Sequence, residues 1–266
     1  MTAFDVVAAG SVEVTDDSTG LRTVLLNRPA VRNALTPADL DTITDAVRSA
    51  AAHRNGLVFT GSGERSFCAG MHLRSFTGLT VATARELITR VAALLTAVRT
   101  SPLPTLAMVN GFCLGIGFEL SLCCDVRVAA ETARFGLPEV ALGIPSIADA
   151  ALLQQHVGLS LAKEMILTGE VYSVDALRHT GLLNRIVSPG ELAGASEELM
   201  TSIRRHTPTV LASQKRLFEA WQNSTLSAGI EASVGEFAGV FAHQETLAAI
   251  RRHTGNRQGT PSDAAR

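Results

Sequence analysis

Lysine is nearly missing from these 266 residues, with Lys163 and Lys215 the only two, so cationic work falls to arginine. A net charge of −2 supplies no global field to draw nucleic acid or an anionic membrane, and neither is expected as a partner. No apolar run nears the ~20 residues that a membrane span requires. The opening Met1-Thr2-Ala3-Phe4-Asp5 has neither the basic nor the apolar region of a signal peptide, so a cytoplasmic protein is the expectation. Cys68, Cys113, Cys123 and Cys124 show no C-x-x-C spacing, and neither His156 nor His179 has a metal-ligand partner four residues on. Reduced core thiols and no metal site follow as expectations. Internal repeats and low-complexity linkers are also missing, so nothing marks a firm domain boundary.

What is present is a filled core: 46% hydrophobic residues against 18% charged. Short β-like runs at residues 12–15, 23–26, 57–60, 105–109 and 126–129 alternate with helical patterns, and everything after about Ala148 reads as helix. The pattern predicts an α/β core followed by a helical tail, with parallel pairing through right-handed crossovers. Thr36-Pro37 and Thr207-Pro208 are helix starts, each an N-cap with proline at the first helical position. The polar stretch after Gly255 is expected to be disordered.

Two glycine-rich turns carry the chemistry. Gly61-Ser-Gly-Glu-Arg-Ser-Phe-Cys-Ala-Gly-Met-His-Leu73 follows one β-like run, at a strand's carboxyl end where ligands of open α/β sheets bind. Val109-Asn-Gly-Phe-Cys-Leu-Gly-Ile-Gly-Phe-Glu-Leu120 follows another and runs into a helical pattern, so its free amides would point outward at a helix start. Such amides serve a phosphate or an oxyanion, and glycines also simply permit tight turns and close packing. A Walker A is excluded, because no Gly-Lys-Ser/Thr follows either turn, and Ser66 breaks the dinucleotide fingerprint that Gly61 and Gly63 begin.

Taken together and in order, five segments resemble the crotonase, or enoyl-CoA hydratase/isomerase, superfamily. They are Asn27-Arg-Pro-Ala-Val-Arg-Asn-Ala-Leu35, Ser66-Phe-Cys-Ala-Gly-Met71, Asn110-Gly-Phe-Cys-Leu-Gly-Ile-Gly-Phe-Glu-Leu120, Arg134-Phe-Gly-Leu-Pro-Glu139, and Leu161 to Gly169. The resemblance implies an α/β fold of the crotonase-like ββα spiral type with a helical C-terminal trimerisation region. It would have an acyl-CoA-binding core over residues 1–200, helices over 201–255 and a tail at 256–266. It also implies a homotrimer or homohexamer acting on an acyl-CoA thioester, with coenzyme A entering as part of the substrate and no separate cofactor.

Roles carry over residue by residue. The resemblance puts the oxyanion-hole amides on Met71 and Ile116, each worth roughly 3–4 kcal/mol in the transition state because it is aimed where charge develops. It assigns Glu119 to the water and Glu139 to Cα of the substrate, and it puts Arg28, Arg32, Ala69, His72, Leu73 and Arg74 along the coenzyme A and acyl path. Three positions depart from the pattern. Ile116 replaces a small residue but keeps the main-chain donor; His72 replaces Asp; and Ser146 stands where a glycine amide would serve the catalytic water, which makes Ser146 the water-positioning candidate. Asp149 reads as a first-turn acid on a helix over residues 148–156. The expected activity is hydration of a 2-enoyl-CoA through a stabilised enolate. Isomerisation or other enolate chemistry, thioester hydrolysis and a non-catalytic acyl-CoA-binding role stand as alternatives.

Overall fold

The structure is a computed structural model and describes residues 11–255, so the tail expected to be disordered lies outside the described residues. The chain forms two compact units that meet at Ile203 and Arg204. Along the first run β1 (Val12–Asp16), β2 (Leu21–Leu26), α1 (Pro37–Ala50), β3 (Gly56–Gly61), β4 (Ser66–Cys68), α2 (Val81–Arg99), β5 (Thr105–Val109), β6 (Phe112–Leu114), α3 (Ile116–Cys123), β7 (Val126–Ala130) and β8 (Arg134–Gly136). There follow α4 (Leu153–Val157), α5 (Leu159–Thr168), β9 (Tyr172–Ser173), α6 (Val174–Leu177), β10 (Arg185–Val187) and α7 (Leu192–Arg204). The second unit holds α8 (Pro208–Asn223), α9 (Leu226–Val240) and α10 (Gln244–Gly255).

Two sheets organise the first unit. The larger has strand order β1-β2-β3-β5-β7-β10, parallel throughout except for the β1–β2 hairpin. The smaller has order β4-β6-β8-β9, with β4, β6 and β8 parallel. A turn of the chain therefore gives one strand to the large sheet, a short one to the small sheet, and then a helix. β3, β4 and α2 make one such turn, and β5, β6 and α3 make the next. This is the ββα spiral.

The large sheet is covered on both faces, as a parallel sheet must be. Val58, Leu106 and Val128 pack with Leu192 and Met200 of α7, whereas the alternate residues Phe59, Ala107 and Ala129 belong to the main core with Leu40, Ile43 and Leu94. α1 begins at a capping box in which the Thr36 N–H donates to Asp39 and the Asp39 N–H to Thr36. α3 is buried at every residue, which its nearly unbroken apolar sequence allows.

The structure corrects the sequence expectation at three places. The stretch after Ala148 is not wholly helical: β9 and β10 extend the two sheets. The helix expected over residues 148–156 is a 3₁₀ turn (Ala148–Leu152) followed by the short α4. The glycine-rich segments do leave β3 and β5, but each carries inside it a short strand of the second sheet, β4 or β6, that the sequence reading did not show. At three residues each, those strands are too short to show a period.

Candidate active site

The carboxyl ends of β4, β6 and β8, neighbours in the small sheet, deliver the candidate groups. Met71 lies three residues beyond β4, Ile116 two beyond β6, and Glu139 three beyond β8. All three line one cavity of about 660 Å³, together with Glu119 one turn into α3.

The two amides are oriented by local structure. Met71 forms a parallel bridge with Leu35, in which the Leu35 N–H donates to Gly70 O at 2.9 Å and the His72 N–H to Leu35 O at 2.7 Å. That pattern turns the Met71 N–H to the opposite side, out of the ladder. Ile116 is the first residue of α3, and an N–H there has no intrahelical acceptor. Gly115, at φ 53 and ψ −130, makes the turn that presents it. The two turns lie against each other, since a Cβ on Gly115 would sit 3.5 Å from the Gly70 Cα. Gly117 lets α3 rest on β4, for a Cβ there would be 2.6 Å from that of Cys68.

The carboxyl groups occupy different environments. Glu119 is only 3% exposed, and its Oε2 has no hydrogen-bond partner among the described residues. Burial pushes its carboxyl well above the ordinary carboxylate range; the Glu139 and Asp149 charges push it further, opposed by a hydrogen bond from the Asp149 backbone. Glu139 is half-buried in the 3₁₀ turn Pro138–Leu142, where it accepts the Ser146 hydroxyl at Oε2 over 2.8 Å. Asp149 lies in a first turn, and its side chain pairs with Arg99 of α2 at 3.0 Å.

The other expected site residues divide. Ala69, His72 and Leu73 line the cavity, with Phe76 and Leu79 further along. His72 Nδ1 accepts the Arg74 N–H at 3.3 Å, capping the 3₁₀ turn Leu73–Phe76. Arg28, Arg32 and Arg74 do not line it. Arg28 donates to Ala34 O and to Asp39, both at 2.8 Å, while Arg32 lies 5.2 Å from the centre of the Phe112 ring. Arg74 is exposed. Asn33 and Asn110 are braces: Asn33 Nδ2 donates to Ser62 O and Ser66 O, and Asn110 Nδ2 to Gly61 O and Gly63 O. Among the described residues no group of His, Cys, Asp or Glu could hold a metal ion.

Sequence reasoning missed one wall. Ala84, Leu87, Ile88 and Val91 of α2 line the cavity at helical spacing. The signal was there as an apolar stripe, but a stripe that faces a cavity reads like one that faces a core. Two main-chain donors beside two carboxyl groups in an otherwise apolar pocket suit a substrate that gains negative charge on one oxygen while protons move nearby.

Comparison with known proteins agrees with that chemistry. Residues 16–259 match the enoyl-CoA hydratase/isomerase family. The chain is 34% identical to the crotonyl-CoA hydratase of Syntrophomonas wolfei over 83% of this chain and 85% of that one. It is 36% identical to the 2,3-dehydroadipyl-CoA hydratase of Escherichia coli over 77% and 80%. The crystal structure of an enoyl-CoA hydratase from Bacillus anthracis superposes with a TM-score of 0.87 at 27% identity, covering 93% of this chain and 97% of that one. The protein is an enzyme of the enoyl-CoA hydratase/isomerase family with the crotonase fold.

Proposed function

We propose that this enzyme adds water across the conjugated double bond of a 2-enoyl-CoA to give the 3-hydroxyacyl thioester. The observation that carries the reading is the convergence of the Met71 and Ile116 amides with the Glu119 and Glu139 carboxyl groups on one cavity. The two N–H groups bind the thioester oxygen and stabilise the enolate that forms when oxygen adds at Cβ. Glu119 takes a proton from the attacking water, its unpartnered Oε2 being the acceptor within the cavity. Glu139 delivers a proton to Cα. One proton is shared between the two carboxyls, so hydration starts with it on Glu139 and dehydration with it on Glu119. Coenzyme A comes in as part of the substrate, and no separate cofactor takes part.

The acyl chain runs along an apolar wall of Phe76, Leu79, Leu87, Ile88, Val91 and Ile147, which favours a plain aliphatic chain over one with a charged end. The working form is a homotrimer or homohexamer. This is supported by the apolar stripe of α9, where Leu226, Ile230, Val234 and Phe237 are exposed at helical spacing and the C-cap Phe241 continues it. Four free, buried cysteines fit the reducing cytoplasm.

The test is loss of the conjugated enoyl absorbance of crotonyl-CoA in wild type, Glu119→Gln and Glu139→Gln. Turnover by wild type and its loss in both variants is the expected result. Tight binding without turnover would overturn the reading in favour of a binding protein. A shifted double bond that survives Glu119→Gln would favour isomerisation.

A further inference from the structure

Glu139 is held by a closed loop of its own chain. From the 3₁₀ turn Pro138–Leu142 the backbone turns at Gly143, which is left-handed with φ 75 and donates its N–H to Glu139 O and Val140 O. The Ile144 N–H also donates to Glu139 O, at 3.3 Å. Two residues later the Ser146 hydroxyl returns to the side chain of the same glutamate and donates to Oε2 at 2.8 Å. Oε1 lies over Gly115, so close that a Cβ there would be 2.7 Å away. The carboxylate is thus gripped at one oxygen and confined at the other. The far end of the segment is fixed as well, by the pair of Asp149 with Arg99, whose side chains are 13% and 23% exposed.

We propose that Ser146 is a positioning residue for proton transfer at the substrate's Cα, fixing the plane and direction of the Glu139 carboxylate rather than handling the water. Glutamate has a flexible stem, and a proton carrier must come within about 3 Å of the atom it serves. Among the described residues Ser146 is the one side-chain donor that reaches Glu139. The step it governs is simple: the Cα–H bond breaks as an O–H bond forms on Glu139, the electron pair passes into the enolate held by the two amides, and the reverse step returns a proton from Glu139 to Cα. The inference rests on the proposed function only in giving Glu139 the Cα proton.

The test separates proton transfer from water addition. Exchange of the Cα hydrogens of butyryl-CoA in deuterated water, followed by mass spectrometry, requires enolisation but no hydration. It is measured beside crotonyl-CoA hydration in wild type, Ser146→Ala, Ser146→Thr and Glu139→Gln, with thermal unfolding for each. We expect Ser146→Ala to lower both the exchange rate and kcat by roughly 10- to 100-fold with KM little changed, since misplacing a reacting group carries a penalty of that order. Ser146→Thr, which keeps the hydroxyl, restores both. A folded Ser146→Ala within about twofold of wild type in exchange would overturn the proposal, as would a folded Ser146→Thr as slow as the alanine variant. Ser146→Gly is read in the same way where alanine prevents folding. A wild type that exchanges without hydrating defeats the hydratase reading and leaves Ser146 to be judged by exchange. A wild type that does neither overturns both.

Discussion

Gly115 is the position at which a single methyl group should do the most damage. Its backbone, at φ 53 and ψ −130, suits glycine alone, so Gly115→Ala costs roughly 1–3 kcal/mol in strain before any contact is considered. Gly158, between α4 and α5 at φ 81 and ψ 156, carries a similar penalty, but a Cβ there meets nothing within 4 Å. At Gly115 the added carbon would lie 2.7 Å from Glu139 Oε1. Something must move, and the movable partners are the Glu139 carboxylate and the turn presenting the Ile116 amide. Loss of one well-aimed oxyanion donor alone costs about 3–4 kcal/mol, or roughly 10²- to 10³-fold in kcat. Both alanine variants should therefore melt lower by similar amounts, while only Gly115→Ala should lose crotonyl-CoA hydration by two orders of magnitude or more. Equal activity in the two variants, within about threefold, would refute the placement of Glu139 over this turn.

Two further outcomes concern stability. The Glu119 carboxyl is pushed well above its ordinary 4.5 by burial first and by its acidic neighbours second, so between those two values the folded chain holds a proton that the unfolded chain has released. Its contribution to stability is full below about pH 4.5 and is lost as pH rises towards the folded value, so Glu119→Gln should melt above wild type by a margin that widens with pH. A margin that stayed constant across that range in calorimetry would contradict the burial argument. Arg28→Ala should destabilise the fold by roughly 2 kcal/mol in denaturant unfolding through its lost bonds to Asp39 and Ala34, with KM for the thioester unchanged. A raised KM at unchanged stability would instead make that guanidinium a coenzyme A ligand.

How much of this was legible depended on period and on reach. β3 and β5 were readable because the apolar runs at 57–59 and 106–109 are β-rich and bounded by turn residues, and α1 because Thr36 and Pro37 announce its start. β4, β6 and β8 span three residues each and were hidden inside turns whose glycines dominate any local reading. Those strands place the site, so the sequence pointed to the right loops without revealing the second sheet that runs through them. Arg28 shows the opposite difficulty. Its charge invites a phosphate, yet its guanidinium bonds within its own chain, to Ala34 O and Asp39. Nothing in local spacing reveals that Asp39 waits eleven residues away.

The departures at Ile116 and Ser146 differ in kind, and the difference explains how a site keeps its chemistry while its residues change. Where the working group belongs to the main chain, the side chain is free to vary. Ile116 offers its N–H through the position of Gly115 and the start of α3, and its buried side chain only adds to the cavity wall. Where the working group is a side chain, its neighbours must vary with it. Ser146 brings a hydroxyl within reach of Glu139, and Ala148 adopts φ 50, an uncommon conformation for alanine, just before the Asp149 N–H that meets Glu119. One short segment thus touches both carboxyl groups, one through a side chain and the other through its backbone. A change at Ser146 should therefore be felt in proton transfer sooner than in enolate stabilisation, because the Met71 amide is oriented by the bridge to Leu35 and the Ile116 amide by the Gly115 turn.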